Sequence, residues 1–82
     1  SGQIDRLYIG EKEVWVVDFK SNQAPPATIP AAYIRQLALY RLLLQHIYPK
    51  KHIRCALLWT ATAKLHEIAE SQLDEWRGSS YV

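Results

Sequence analysis

The 82-residue sequence has a single cysteine, Cys55, so no disulfide can form within the chain. Its three histidines (His46, His52 and His66) show no metal-ligand spacing with that cysteine, and we therefore expect no structural zinc site. A lone thiol is typical of proteins in a reducing compartment, which predicts a cytoplasmic setting. The fold must therefore be stable without a disulfide or a structural zinc ion.

Long hydrophobic runs are also missing. Arg41 interrupts the longest apolar stretch, and nothing approaches the roughly 20 apolar residues of a membrane span. Residues 1–5 carry no basic region followed by an apolar core, so we expect no signal peptide there. No nucleotide-binding glycine loop is present, which excludes a helicase motor within these residues. The net charge of +2 gives only mild attraction to an acidic partner.

What is present is a globular composition, with 49% hydrophobic, 22% charged and 11% aromatic residues. A chain of this length buries only about 60% of the surface that its unfolded form exposes, so its stability is marginal. We therefore expect residues 1–82 to be a single small domain or a fragment of a larger one.

Hydrophobic periodicity predicts the order β-β-α-β-β-α, which is a mixed α/β class. The predicted strands cover residues 3–9, 13–20, 52–60 and 64–68, and the predicted helices cover residues 29–47 and 70–77. Thr28 is the expected cap of the longer helix, with Pro30 in its first turn, and Gly78 is expected to end the shorter one.

The longer predicted helix is apolar around most of its circumference, so we expect it to be buried on more than one face. One stripe at helical spacing is formed by Tyr33, Leu37, Tyr40, Leu44 and Ile47, and the other sides carry Leu39, Leu42 and Leu43.

Two aspartates meet in the simplest register of the predicted hairpin. That register pairs Leu7 with Val16 and Asp5 with Asp18, and Lys20 follows on the same face. Because both faces of the hairpin are mostly apolar, we expect it to lie in the interior of a sheet. Like charges directly opposite each other destabilise a sheet, and a divalent cation with oxygen ligands resolves that conflict. The pattern therefore points to a Mg²⁺ site beside a lysine.

Two other interpretations of these carboxylates remain open. Aspartates at strand ends also cap loops or pair with a neighbouring cation, and Arg6 and Lys20 are both available for such pairing. A register shifted by one residue would move Asp5 to the other face of the sheet.

Three motifs in one order resemble a known family. They are G-Q-I-D-R-L at residues 2–7, V-V-D-F-K-S-N at residues 16–22 and Q-L-A-L-Y at residues 36–40. Together they resemble the carboxy-terminal nuclease domain of the AddA/RecB-type helicase–nucleases, in the PD-(D/E)XK superfamily. The sequence A-L-L-W-T at residues 56–60 is similar to the strand after the family's helix. The resemblance implies a restriction-endonuclease-like α/β core.

The resemblance also implies a role for each matching residue. Asp5, Asp18 and the backbone carbonyl of Phe19 would be metal ligands, and Lys20 would be catalytic. Gln36 and Tyr40 share a helix face and would position DNA, water or the metal shell. The catalytic residues that the resemblance implies are therefore Asp5, Asp18, Lys20, Gln36 and Tyr40. On composition alone, Gln36 is more typical of a solvated residue and Tyr40 of core packing.

The activity implied is Mg²⁺-dependent hydrolysis of DNA phosphodiesters by an exonuclease, with Mn²⁺ as the alternative ion. In this family a helix with further acidic and histidine site residues precedes the first motif, so we expect residues 1–82 to lack that helix, to be inactive alone and to self-associate through exposed apolar surface. The resemblance further implies a bacterial cytoplasmic protein in double-strand-break repair, an AddB-like partner subunit, and ATP bound only by a helicase region outside this chain. The alternative is a non-catalytic DNA- or partner-binding module of the same fold.

Overall fold

Four strands and two helices follow one another in the order that the sequence predicts. A computed structural model describes residues 5–21 and 25–76. The strands are β1 (Arg6–Ile9), β2 (Glu13–Lys20), β3 (His52–Trp59) and β4 (Lys64–Glu67), and the helices are α1 (Ala31–Ile47) and α2 (Glu70–Asp74). The predicted mixed α/β class is confirmed, and the architecture is consistent with the restriction-endonuclease-like core.

The strands form one mixed sheet in the order β1-β2-β3-β4. The pairs β1–β2 and β3–β4 are antiparallel, whereas β2 and β3 are parallel. A parallel pair needs a long crossover, and α1 provides it. Neither described helix is long and apolar enough to cross a membrane.

The hairpin has the predicted register, because Leu7 is paired with Val16 and Ile9 with Val14. Its expected position in the interior of the sheet is wrong. Within the described residues β1 lies at the edge, and all of its side chains are exposed. The reason is that β3 pairs with the free side of β2, so of the two hairpin strands only β2 has a neighbour on each side.

Element boundaries differ from the prediction at several ends. The first strand begins at Arg6 in the described region, and residues 3 and 4 of the predicted strand lie outside it. The third and fourth strands end at Trp59 and Glu67, one residue earlier than predicted. The second helix ends at Asp74 rather than at residue 77, and the expected stop at Gly78 lies outside the described residues.

The start of α1 corrects the predicted cap. Pro30, not Thr28, occupies the N-cap position, and no side-chain hydrogen bond caps the helix. Pro30 has an extended backbone, and its carbonyl accepts the Tyr33 N–H at 3.0 Å. The fixed φ of proline thus sets the direction of the first turn in place of a hydroxyl cap.

The core lies between one face of the sheet and the two helices. Its sheet side is formed by Val14, Val16, Ile53, Cys55, Leu57 and Trp59, and its helix side by Ile34, Leu37, Ala38, Tyr40, Leu44 and Leu73, with Ile68 between them. Cys55 is fully buried, and burial raises the pKa of its thiol to about 12. A thiol so protonated is unreactive, so Cys55 serves as a small apolar residue.

Helix α1 is buried on one face only, which makes the expected burial on more than one face wrong. Leu43 and Ile47 are 54% and 64% exposed, and Leu39 is exposed as well. Arg41 is instead buried, and its guanidinium donates to the carboxylate of Asp74 in α2. The short helix α2 packs on the side of α1 that carries Arg41, and among the described residues the side with Leu39, Leu43 and Ile47 is left exposed.

The other face of the sheet is open and apolar. Its side chains line a shallow groove of about 430 Å³, formed by Tyr8, Trp15, Val17, Phe19, Leu58 and Leu65. Arg54 lies across this face, with its guanidinium over the ring of Trp15 and bonded to both carboxylate oxygens of Glu67. Self-association through such exposed apolar surface stays a prediction.

Candidate active site

The predicted site residues gather where β2 ends, on the sheet face that α1 covers. Side chains alternate along β2, so Asp18 and Lys20 share a face with the buried residues Val14 and Val16. The first half of α1 runs over this face. The site is therefore built from the end of the central strand, the chain just before β1, and one side of α1.

Asp5 lies in a bend immediately before β1. Its carboxylate accepts a hydrogen bond of 2.9 Å from the backbone N–H of Phe19 in β2. A hydrogen bond with Asp18 and the bond from Phe19 lower the pKa of Asp5. The two carboxylates are thus side by side, as the predicted register requires, and a register shifted by one residue is excluded by the pairing of β1 with β2.

Asp18 is the buried member of the pair, with 7% of its surface exposed. Burial and the neighbouring Asp5 raise its pKa, and these outweigh the opposing effect of Lys20, whose Nζ lies 3.0 Å from Oδ2. Despite this ion pair, Oδ2 has no hydrogen-bond partner of ordinary geometry among the described residues. A buried oxygen without a hydrogen bond lowers the stability of the folded protein.

The end of the strand that carries Lys20 is fixed by β3. The carbonyl of Lys20 accepts hydrogen bonds from the Thr60 backbone N–H at 2.9 Å and from its hydroxyl at 3.2 Å. The ammonium group lies 3.8 Å from the centroid of the Tyr33 ring. Lys20 is therefore held at its backbone by Thr60, which follows β3, and at its tip by Tyr33 of α1 and Asp18 of its own strand.

Gln36 and Tyr40 lie one helical turn apart on α1, and Gln36 Nε2 donates to Tyr40 Oη at 3.3 Å. Gln36 is half-buried, not fully solvated, and Tyr40 is buried in the core as well as near the site. Burial, and then the charge of Asp18, raise the pKa of Tyr40. Its phenol keeps its proton, so it can donate a hydrogen bond while it accepts the one from Gln36.

The donor set fits a hard divalent cation. Such ions take carboxylate and carbonyl oxygens, and the unsatisfied Oδ2 of Asp18 has a lone pair to give. The N–H and C=O of one strand residue point to the same side, so the Phe19 carbonyl points towards Asp5, which accepts the Phe19 N–H. In the described part of the chain, no group of three or more His, Cys, Asp or Glu side chains gathers for a metal.

Other candidates lie elsewhere. Arg6, one alternative partner for the carboxylates, is placed 5.8 Å over the ring of Tyr8 on the open face. Lys51 is at the far end of the sheet, where its ammonium donates to the carbonyl of Gly10. The three histidines are exposed. None of these alternative residues therefore contributes to the site.

Sequence reasoning missed two aromatic residues at the site. Tyr33 contacts Lys20, and its ring packs against that of Trp59 with centroids 6.4 Å apart and planes tilted by 49°. The sequence placed Tyr33 only on the apolar stripe of the predicted helix, and Trp59 only in the third predicted strand. The available signal was spacing, since Tyr33 lies three residues before Gln36 and seven before Tyr40, on the same face of α1.

Comparisons with known proteins agree with this geometry. A family model described as the PD-(D/E)XK nuclease superfamily matches residues 1–79, nearly the whole chain. No curated protein and no solved structure matches it. Because this match covers nearly all of its residues, the chain belongs to the PD-(D/E)XK nuclease superfamily.

Proposed function

We propose that this chain is the nuclease domain of a DNA exonuclease and hydrolyses DNA phosphodiester bonds with Mg²⁺. The observation that carries the proposal is the convergence of Asp5, Asp18 and Lys20 at the end of β2. A buried carboxylate placed beside a second carboxylate is unfavourable for stability. The arrangement is explained by a ligand that needs both negative charges.

The cation would be held by the carboxylates of Asp5 and Asp18, with the Phe19 carbonyl as a further ligand. When bound, Mg²⁺ supplies Lewis-acid chemistry, which lowers the pKa of water and offsets negative charge on phosphoryl oxygens. Mn²⁺ prefers the same oxygen ligands and is the alternative ion.

The protein's own side chains supply the remaining chemistry. The Lys20 ammonium gives a fixed positive charge beside the carboxylates, suited to a phosphoryl oxygen as negative charge develops on it. The Tyr40 hydroxyl retains its proton and Gln36 orients it, so this pair can donate to a phosphate oxygen or to the attacking water. The core beneath β2 keeps these groups in place.

The wider setting belongs to the same proposal. The combined motifs at residues 2–7, 16–22 and 36–40 resemble the nuclease domain of AddA/RecB-type helicase–nucleases. We place the protein accordingly in the bacterial cytoplasm, acting on DNA ends during double-strand-break repair with an AddB-like partner subunit. ATP would be bound by a helicase region and not by these residues.

Metal binding provides the first test. Mg²⁺ at about ten times its dissociation constant stabilises a protein by about 1.4 kcal/mol, which corresponds to a rise of about 8 °C in the melting temperature of a domain this small. We expect this rise in the wild-type chain and its loss in Asp18→Asn. Glu11→Gln, which changes an exposed carboxylate in the hairpin turn, is the control and keeps the response.

DNA cleavage provides the second test, in the natural polypeptide that contains this chain. We expect linear DNA to be degraded with Mg²⁺, and about 100-fold or greater loss of rate in Asp18→Asn and in Lys20→Met. Cleavage at the wild-type rate by either variant would contradict the proposed mechanism. Tight DNA binding without cleavage by the wild type would favour the non-catalytic module instead.

A further inference from the structure

Tyr33 lies between the candidate catalytic lysine and the core. It belongs to the first turn of α1, and its ring centroid is 3.8 Å from Lys20 Nζ. On the core side its ring packs against Trp59, which is fully buried and is the β3 partner of Lys20 in the sheet register. The ring therefore contacts both a buried aromatic side chain of the core and the ammonium group.

A lysine needs such a support to act at one place. Its side chain is flexible, and its ammonium is a compact charge without the planar geometry that orients arginine. The other partner of Lys20 is Asp18, at 3.0 Å. A cation bound to Asp18 would share that carboxylate and repel the ammonium, whereas the Tyr33 ring would remain available to it. With a cation bound to Asp18, the Tyr33 ring would be the remaining contact of the Lys20 ammonium.

A second lysine–tyrosine pair shows what an incidental contact looks like. Lys51 Nζ lies 5.5 Å from the centroid of the Tyr48 ring, and it also donates to the carbonyl of Gly10. Both tyrosines are half-buried and pack against the same core. The Tyr33 contact is much closer, and its lysine lies beside the two carboxylates. Comparing the two tyrosines therefore distinguishes loss of packing from loss of lysine positioning.

We propose that Tyr33 is a positioning residue, whose ring face holds the Lys20 ammonium beside the carboxylate pair so that it meets the phosphate. This inference rests on the proposed nuclease function and names a residue that the three motifs do not include. Tyr33 acts through Lys20 and not on the substrate. The face of the ring carries the role, and its hydroxyl is not required.

The test compares Tyr33→Leu, Tyr33→Phe and the control Tyr48→Leu, all assayed well below their melting temperatures. Protons on the carbon next to the Lys20 ammonium lie over the ring and should show an upfield NMR shift in the wild type and in Tyr33→Phe. That shift should be lost in Tyr33→Leu and kept in Tyr48→Leu. In DNA cleavage, Tyr33→Leu should lower kcat about tenfold with KM changed less than about twofold. Tyr33→Phe and Tyr48→Leu should stay within about twofold of the wild-type kcat.

Three results would overturn the inference. They are an upfield Lys20 signal that persists in Tyr33→Leu, a loss of kcat in Tyr33→Phe as large as that in Tyr33→Leu, and an equal loss in Tyr48→Leu. Failure of the nuclease proposal looks different. A wild-type protein that shows the shifted Lys20 signal and cleaves no DNA would overturn the proposed function while supporting the contact between Tyr33 and Lys20.

Discussion

Two charged side chains are buried in the described part of the chain, and their surroundings are opposite in character. Arg41 is 4% exposed and pairs with the carboxylate of Asp74 across the interface of the two helices. Asp18 is 7% exposed and has a second carboxylate, Asp5, as well as Lys20 beside it. The buried charge of Arg41 is compensated by the opposite charge of Asp74, whereas the buried charge of Asp18 has the like charge of Asp5 beside it.

The difference separates structural from functional burial. A buried charge tolerated for the fold is expected to have a partner of opposite sign and no like charge beside it. Arg41 has such a partner in Asp74, which accepts a hydrogen bond from Nη2, although Arg41 Nε has no hydrogen-bond partner among the described residues. A buried charge beside a like charge costs stability, and it persists where binding or chemistry needs it. Substitutions at the two positions should therefore change stability in opposite directions.

The largest expected effect is at the helix interface. Asp74→Asn removes the charge that compensates buried Arg41, and we expect the free energy of unfolding to fall by about 2 kcal/mol. Arg41→Met is the matched variant, because it removes the buried charge itself and should cost less than about 1 kcal/mol. Urea denaturation measures both. An equal loss in the two variants would show that packing, and not charge compensation, stabilises this interface.

A smaller effect of opposite sign is expected at the site. Asp18→Asn removes the charge that faces Asp5, so without metal the free energy of unfolding should rise by about 0.5–1 kcal/mol. Denaturation in the presence of a chelator measures this change. Destabilisation of the metal-free protein by Asp18→Asn would break the contrast between the two buried charges.

The pH dependence of stability should sharpen the same contrast. The pKa of Asp18 is raised above its ordinary value of 3.8, so the folded state binds this proton more tightly than the unfolded state. That contribution is fully present below the unfolded pKa and is lost as the pH rises through the higher folded pKa. The stability of the metal-free wild type, measured relative to Asp18→Asn, should therefore decline as the pH is raised from about 4. A difference that is constant with pH would contradict this expectation.

The smallest effect is expected on the open face, where a third charged pair is exposed. Arg54 binds both oxygens of Glu67 and lowers its pKa below the ordinary 4.5. Glu67→Gln should cost about 0.5 kcal/mol at neutral pH. The cost should be present above pH 4.5 and vanish as the pH falls through the lowered folded pKa, which an acid titration of both proteins would show. A loss as large as that in Asp74→Asn would remove the distinction between exposed and buried pairs.

Local patterns were sufficient to predict much of this fold. Alternation along residues 13–20 and the shortest turn determine the hairpin register, and with it the meeting of Asp5 and Asp18. The position of the hairpin at the sheet edge depends on where β3 pairs, and that is a long-range property without a local signature. Burial of Arg41 depends on the docking of α2, which periodicity in α1 does not indicate.

The candidate site was predictable in its residue identities and less so in its environment. The spacing of Gln36 and Tyr40 places them on one face of a helix, and their contact follows. The contact between Tyr33 and Lys20 depends on the angle at which α1 crosses β2, which Pro30 and the core packing set. Only the assembled tertiary structure shows that a residue typical of core packing also touches the site.

The parallel pairing of β2 with β3 has a consequence for how the domain is made. Lys20 finds its sheet partner, Trp59, only after the whole of α1 has been synthesised and folded back over the sheet. Closing so long a connection is entropically costly and slow compared with forming a hairpin. A nascent chain on the ribosome therefore carries its aspartates in a marginal hairpin until β3 emerges. The candidate site can therefore be completed only after translation has passed the third strand.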